Sequence, residues 1–272
     1  MKVAVIGAGW LGKPLAERLA ATELNVVASK RTQDACEALV QSGIEACVYE
    51  LGQASLTEAL VDADVYFINI PPGRMKQNIA EFQASMQQLI SQCLTSQEKR
   101  LLFISTTSVY GEATKEVNEA SEVEPITDSA QAHCAIENFI QTQYPKQATI
   151  LRLAGLVGED RHPAFSLANK KELTAAYKVV NLVHLEDVIN AVQKIMEQKQ
   201  WGQLYHLCAQ EHPTRMEYYV WACEQLGLEP PTFFDPSLKP NTGKVINASE
   251  TLSQLGLTLL YPSSFDMLRA DK

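Results

Sequence analysis

The sequence predicts an α/β fold: a doubly wound parallel sheet joined to a smaller, less regular C-terminal cap. Three observations carry that expectation. Short β-rich runs alternate with longer amphipathic stretches over the first two-thirds of the chain. Several of the short runs are apolar throughout, as strands covered on both faces are. Three closely spaced glycines, Gly7, Gly9 and Gly12, stand between the first short run and the first amphipathic stretch.

In chain order the strand candidates are KVAVI (2–6), LNVVA (24–28), EACVY (45–49), ADVYFINI (63–70), RLLFIS (100–105) and ATILRL (148–153). Between them, helices are expected over 11–21, 33–41, 75–93 and 128–143. In the last of these Asp128 can cap a helix on which Ala132, Ala135, Ile136, Phe139 and Ile140 follow at helical spacing. After Leu153 the rhythm changes. A polar loop, GEDRHP (158–163), precedes VVNLVH (179–184), a helix over 185–198, a strand at GQLYHLC (202–208) and a helix over 214–226. The tail is rich in proline, with EPPTFFDPSLKP (229–240) and YPSS (261–264). The division is placed near residue 155, giving a sheet domain over 1–155 and a cap over 156–272.

Composition limits the function classes. Of 272 residues 46% are hydrophobic and 20% charged, an ordinary balance with ample material for a core. A formal net charge of −9 argues against a general binder of nucleic acid or anionic membrane, while leaving room for a local phosphate site. Six scattered cysteines form no C-x-x-C pair and read as buried free thiols. No apolar run approaches the roughly eighteen residues of a membrane span. The N-terminus enters a strand directly, so a cytoplasmic protein without a secretory signal is expected.

The stretch IGAGWLG (6–12) has the spacing that a dinucleotide's phosphates require. Gly7 permits a tight turn, Gly9 lets the backbone approach a pyrophosphate, and Gly12 allows strand and helix to pack closely. Trp10 and Leu11 complete the loop, and the helix N-terminus adds N–H donors and a positive dipole end. NAD sites usually hold the ribose 2′-hydroxyl with an acidic residue near the end of the second strand. Here Ala28-Ser29-Lys30-Arg31-Thr32 stands there, with Lys30 eighteen positions after Gly12 and no carboxylate. Two cations and two hydroxyls suit a 2′-phosphate, so NADP is expected, with NAD as the alternative. Pro71, closing the fourth strand run, joins Ser29, Lys30 and Arg31 in the candidate cofactor set.

ISTTSVYG (104–111) follows the fifth strand, where ligands of open α/β sheets bind. With GAGWLG, STTSVYG, ILRLAGLVG (150–158) and NLVHLEDVINAV (181–192), the chain resembles the extended short-chain dehydrogenase/reductases over nearly its whole length. These are NAD(P)-dependent epimerases, dehydratases and reductases of nucleotide sugars and related alcohols. LCAQEHPTRMEYYVWACEQLGLEPP (207–231) and GKVINASETLSQLGLTLLYPS (243–263) look like cap elements of an atypical bacterial branch. The resemblance implies a Rossmann fold whose sheet domain also receives 179–208, so that the two domains interleave.

It also implies roles. Thr106, four before Tyr110, matches the hydroxyl that holds the substrate oxygen near the nicotinamide. The family's next helix carries Tyr-x-x-x-Lys between a proline and a glutamate. Pro125 and Glu137 frame it here, and the two positions fall on Ser129 and His133. The tyrosine moves the proton that accompanies hydride transfer, and the lysine lowers its pKa. Serine cannot do this unaided; histidine titrates near neutrality but is shorter and sits one turn away. Two functions are therefore expected to compete: an NADP(H) enzyme acting on a small hydroxyl or carbonyl substrate through Thr106, Ser129 and His133, or a non-catalytic NADP(H) sensor. Tyr110 is a weaker candidate acid, and Arg161, in Asp160-Arg161-His162, a candidate anion grip. His184 and Asp187 lack a third ligand, so no metal is expected. The helices over 75–93 and 128–143 correspond to the family's dimer helices, which makes a homodimer a further expectation.

Overall fold

The computed structural model describes residues 1–73, 79–158, 160–234 and 243–268. The first elements are β1 (Lys2–Ile6), α1 (Gly12–Ala20), β2 (Asn25–Lys30), α2 (Gln33–Gln41), β3 (Glu45–Val48), α3 (Glu58–Val61), β4 (Val65–Ile68), α4 (Ile79–Cys93) and β5 (Arg100–Thr106). There follow β6 (Glu116–Val117), α5 (Asp128–Gln143), β7 (Ala148–Leu153), β8 (Gly155–Val157), α6 (Pro163–Leu167), β9 (Leu182–His184) and α7 (Leu185–Glu197). The last are β10 (Leu204–Leu207), α8 (Arg215–Gln225), β11 (Val245–Ile246) and α9 (Ser249–Leu255). The first four residues of the expected 75–93 helix lie outside the described residues, as do Glu159 and much of the first proline-rich tail segment.

Seven strands form one parallel sheet in the order β10–β7–β5–β4–β1–β2–β3. The order reverses at β1, which pairs with β2 on one side and β4 on the other. The carboxyl ends of strands at such a reversal are the usual ligand position in open α/β sheets. The expected doubly wound fold is therefore present. Of the stretch 179–208, β10 extends the main sheet, whereas β9 pairs with β8 in a separate two-stranded sheet. Gly155 makes that second pairing close: a Cβ there would stand 2.9 Å from Leu182 Cδ2.

The chain divides into two compact units of interleaved segments. The first comprises Met1–Val109, Pro125–Arg152 and Val192–Tyr205. Its main core joins Ala4, Ile6, Tyr66, Ile68, Leu101 and Phe103 of the sheet to α4 and α5. On α4 the buried residues Phe82, Met86, Leu89, Ile90 and Cys93 recur every three or four positions, the stripe of a helix packed on one side. On α5 Ala132, Ile136 and Ile140 do the same, and the two helices lie side by side. The cap of α5 is Thr127, whose hydroxyl accepts the Ala130 N–H at 3.2 Å; Asp128 is the first helical residue, not the cap. A carboxylate there still favours the dipole.

The second unit comprises Tyr110–Glu124, Leu153–Ala191 and His206–Lys272. Tyr218, Trp221 and Phe265 form an aromatic cluster, with Trp221 and Phe265 edge to face at 4.8 Å between ring centroids. A reciprocal capping box, Thr214 with Glu217, starts α8. The six cysteines are free. Among the described residues no helix is long and apolar enough to cross a membrane.

Candidate functional site

The glycine loop is shaped by close backbone contacts. Gly7 has φ +91°, and a Cβ there would lie 2.5 Å from the Asn69 carbonyl oxygen. A Cβ on Gly12 would lie 2.4 Å from the Gly7 carbonyl oxygen. Neither position admits a side chain without backbone movement. Gly9 differs: it is exposed, and a Cβ there would meet nothing within 4 Å. Among the described residues, then, packing does not require glycine at position 9, and the missing side chain suits the close approach of a pyrophosphate. Trp10 beside it is half-buried and Leu11 buried.

The loop is tied down from β2. Ala8 N–H donates to the Ser29 carbonyl at 3.0 Å, and Gly7 N–H donates to Ser29 Oγ at 3.1 Å. Helix α1 begins without a side-chain cap and without an acidic residue in its first turn. In contrast α2, α5 and α8 each have a capping threonine and an early carboxylate. Uncapped N–H groups and an uncompensated dipole make the start of α1 receptive to an anion.

Of the candidates beyond the loop, Ser29 is buried and its hydroxyl is engaged with Gly7, so it supports the loop. Lys30 is half-buried and Arg31 exposed, both at the end of β2. Thr32 hydroxyl accepts the Ala35 N–H at 3.4 Å and caps α2. Pro71 is exposed beyond β4, two residues after the Asn69 that packs on Gly7.

Thr106 ends β5, half-buried, with its Oγ1 donating to Ser108 Oγ at 3.0 Å and accepting Ser108 N–H at 3.1 Å. On α5, Ser129 is half-buried and His133 is 8% exposed. His133 Nδ1 lies 2.7 Å from the Ser129 carbonyl oxygen. A carbonyl only accepts, so Nδ1 carries the proton and Nε2 is the basic nitrogen. The bond goes to the backbone of Ser129, not to its hydroxyl. Burial pushes the imidazole pKa down, partly opposed by the Ser129 carbonyl and the Glu137 carboxylate. The neutral ring is thus favoured.

The same helix also contributes to a buried polar network. Arg152 Nε reaches both Glu137 carboxylate oxygens at 3.1 Å, and a second guanidinium nitrogen reaches Oε2 at 2.6 Å. Ser105 Oγ donates to Oε1 of the same carboxylate. All three residues are at most 5% exposed. The network joins β5, α5 and β7, with Ser105 next to Thr106 and Glu137 one turn after His133 in sequence. Sequence reasoning used Glu137 only as a landmark and missed Ser105 and Arg152. A signal was present: an arginine inside the otherwise apolar ATILRL strand needs a buried partner.

Other candidates are committed elsewhere. Tyr110 is buried, its hydroxyl donating to the Asn118 carbonyl at 3.0 Å and touching His206 Nε2. His162 caps α6 through Nδ1 and donates from Nε2 to the Tyr218 hydroxyl at 2.8 Å. Burial holds its pKa down at about 4. Arg161 is exposed. The Asp187 carboxylate accepts the N–H groups of Leu260 and Tyr261, at 2.6 and 3.2 Å, and His184 stacks on the Tyr261 ring. Among the described residues no cluster of three or more His, Cys, Asp or Glu could hold a metal ion.

A parallel sheet with this loop at its reversal point defines a dinucleotide-binding protein, and the chain belongs to the NAD(P)H-binding family, which its residues 7–198 match. Protein YeeZ of Escherichia coli K12 is 37% identical over 271 residues, covering 98% of both chains. Among solved structures, a conserved protein of unknown function from Silicibacter pomeroyi DSS superposes with a TM-score of 0.77 at 22% identity, over 99% of this chain and 97% of that one. UDP-glucuronic acid 4-epimerase from Bacillus cereus, solved with NAD, gives 0.80 at 20% identity, over 100% and 97%. The fold is that of the extended short-chain dehydrogenase/reductases.

Proposed function

We propose that the protein is an NADP(H)-dependent enzyme of the epimerase, dehydratase or reductase type acting on a small hydroxyl or carbonyl substrate. The residues present fit the cofactor: Gly9 and the uncapped start of α1 would receive the pyrophosphate, between Trp10 and Leu11. Lys30 and Arg31 would take the 2′-phosphate, with Ser29 bracing the loop and Pro71 bordering the crevice. Bound NADP(H) supplies or accepts the hydride. The chain's own residues manage the proton. Thr106 Oγ1 holds the substrate oxygen, and His133 Nε2 exchanges the proton with it through Ser129 Oγ or a water.

One observation carries this reading. The Nδ1–H bond to the Ser129 carbonyl fixes the imidazole tautomer, and burial favours the neutral ring, so a base is prepared at the position where the family has lysine. The test is His133→Ala. NADP-dependent turnover should vanish while NADPH affinity is retained; unchanged turnover sinks the assignment. We extend the proposal to a homodimer through α4 and α5, which a monomeric mass in sedimentation would end.

A second reading has its own support. A histidine that is 8% exposed, bonded to its own helix and 6.0 Å from the Phe103 ring centroid, also suits an idle site. The protein would then be a sensor of NADP(H) redox state, binding the reduced and oxidised forms with different affinity.

A further inference from the structure

Two pairs of side chains meet where β5 faces α5. Phe103 and Ser105 are two apart on a strand and so lie on one face. His133 and Glu137 are four apart on a helix and are neighbours. The Phe103 and His133 rings lie 6.0 Å apart between centroids, and Ser105 Oγ donates to the Glu137 carboxylate. Arg152 of β7 completes the contact, its Nε reaching both carboxylate oxygens at 3.1 Å and a second nitrogen reaching Oε2 at 2.6 Å. Each oxygen thus has two donor contacts, which occupy the lone-pair sites of a carboxylate and fix its plane.

Stability alone gives little reason for this arrangement. Packed apolar side chains of similar volume hold a helix to a sheet as well as a buried ion pair does, without desolvating two charges. The pair does something that apolar packing cannot. Burial favours the neutral form of His133, and the Ser129 carbonyl and the Glu137 carboxylate oppose it. Of these two only the carboxylate carries a full charge to set against an imidazolium. Among the described residues, β5 presents the ring with Phe103, and Cys134 beside it on α5 is a thiol that burial keeps protonated, its pKa pushed up to about 11. Arg152 reaches the carboxylate from β7 and holds it ionised.

We propose that Glu137 is a positioning residue for His133: Ser105 and Arg152 hold its carboxylate in one orientation a helical turn from the imidazole, and the carboxylate lets the buried ring take up a proton. That proton leaves the substrate hydroxyl for Nε2, through Ser129 Oγ or a water, while Nδ1–H stays on the Ser129 carbonyl; the reverse reaction returns it. The role in a reaction rests on the enzyme reading above; the coupling of carboxylate to ring does not.

Imidazole titrations of the full chain, followed by NMR of ¹³C-labelled histidine, test the coupling. The chain has five histidines, and the signal missing from His133→Ala identifies His133. Glu137→Gln keeps the shape and removes the charge, and should lower the His133 pKa by about one unit. Should that variant not fold, Glu137→Leu combined with Arg152→Met replaces the pair by apolar residues, a change that buried pairs tolerate, and should lower it by about half a unit. His162, in the second unit, is the control for an intact fold and should titrate as in the unaltered protein. An unchanged His133 pKa in a folded variant would overturn the proposal, as would an equal displacement of His133 and His162, which marks a general change of fold. Turnover separates this result from the enzyme reading. If His133→Ala retains NADP-dependent turnover while Glu137→Gln still lowers the His133 pKa, the enzyme reading falls and the coupling stands.

Discussion

The glycine loop and the Ser129–His133 face of α5 both belong to the first unit, yet their functions are encoded differently. The loop works through backbone. Gly7 and Gly12 are fixed by carbonyl oxygens that a Cβ would strike, whereas a Cβ on Gly9 would meet no atom of the described residues within 4 Å. On the proposed reading the α5 face would work through side chains, Ser129 and His133, on a helix capped and packed by other residues. Its framework of Thr127, Ile136, Glu137 and Ile140 is set by capping and packing and does not depend on the serine and histidine at positions 129 and 133. Backbone-encoded sites resist drift because the fold suffers with them.

The largest effect that would sharpen this contrast is on stability. Glu137→Ala leaves Arg152 buried without its carboxylate and should destabilise the protein by about 3–5 kcal/mol in denaturant unfolding. Ser129→Ala, a change of reagent only, should cost less than about 0.5 kcal/mol. If the two cost the same, framework and reagents are not separable.

A second comparison sets His162 against that framework. Its pKa is about 4 in the fold against 6.5 in the unfolded chain. The folded state therefore resists protonation. Its stability contribution is complete above pH 6.5 and is lost as pH falls from there toward about 4. The drop attributable to His162 is about 3 kcal/mol over that window. His162→Asn keeps a cap for α6 and should flatten the acid limb; an unchanged limb would contradict the assignment.

The smallest of these effects separates glycines within one loop. Gly12→Ala should lower both thermal stability and NADPH affinity, because the Gly7 carbonyl must move. Gly9→Ala should leave thermal stability alone and lower affinity by about tenfold, since the methyl enters only the ligand's space. Equal behaviour of the two variants would break the claim that Gly9 serves the ligand.

Much of the sheet was legible because its pattern is long and unambiguous. KVAVI and ATILRL become Lys2–Ile6 and Ala148–Leu153, and the helix expected over 128–143 is Asp128–Gln143. Strand ends were less readable, because tertiary bonds set them. LNVVA suggested an end at residue 28, but β2 runs to Lys30, whose carbonyl accepts the Tyr49 N–H at 2.8 Å. ADVYFINI is shortened to Val65–Ile68, and the carbonyl of the next residue, Asn69, packs against Gly7. Strands of two or three residues, β6, β8 and β11, were not foreseen, since alternation needs a longer run to show. The glycine spacing revealed the loop, whereas the role of Ser29 as its brace depends on a contact 22 residues away and was not readable.

The most direct test of the central claim is a calorimetric titration of the purified protein with NADPH, NADP⁺, NADH and NAD⁺ in parallel. The account predicts binding at the glycine loop with the phosphorylated pair favoured by about tenfold or more, through charge-assisted bonds from Lys30 and Arg31. Equal affinities for all four would remove those two residues from the site. Absence of binding to any of the four would contradict the account altogether.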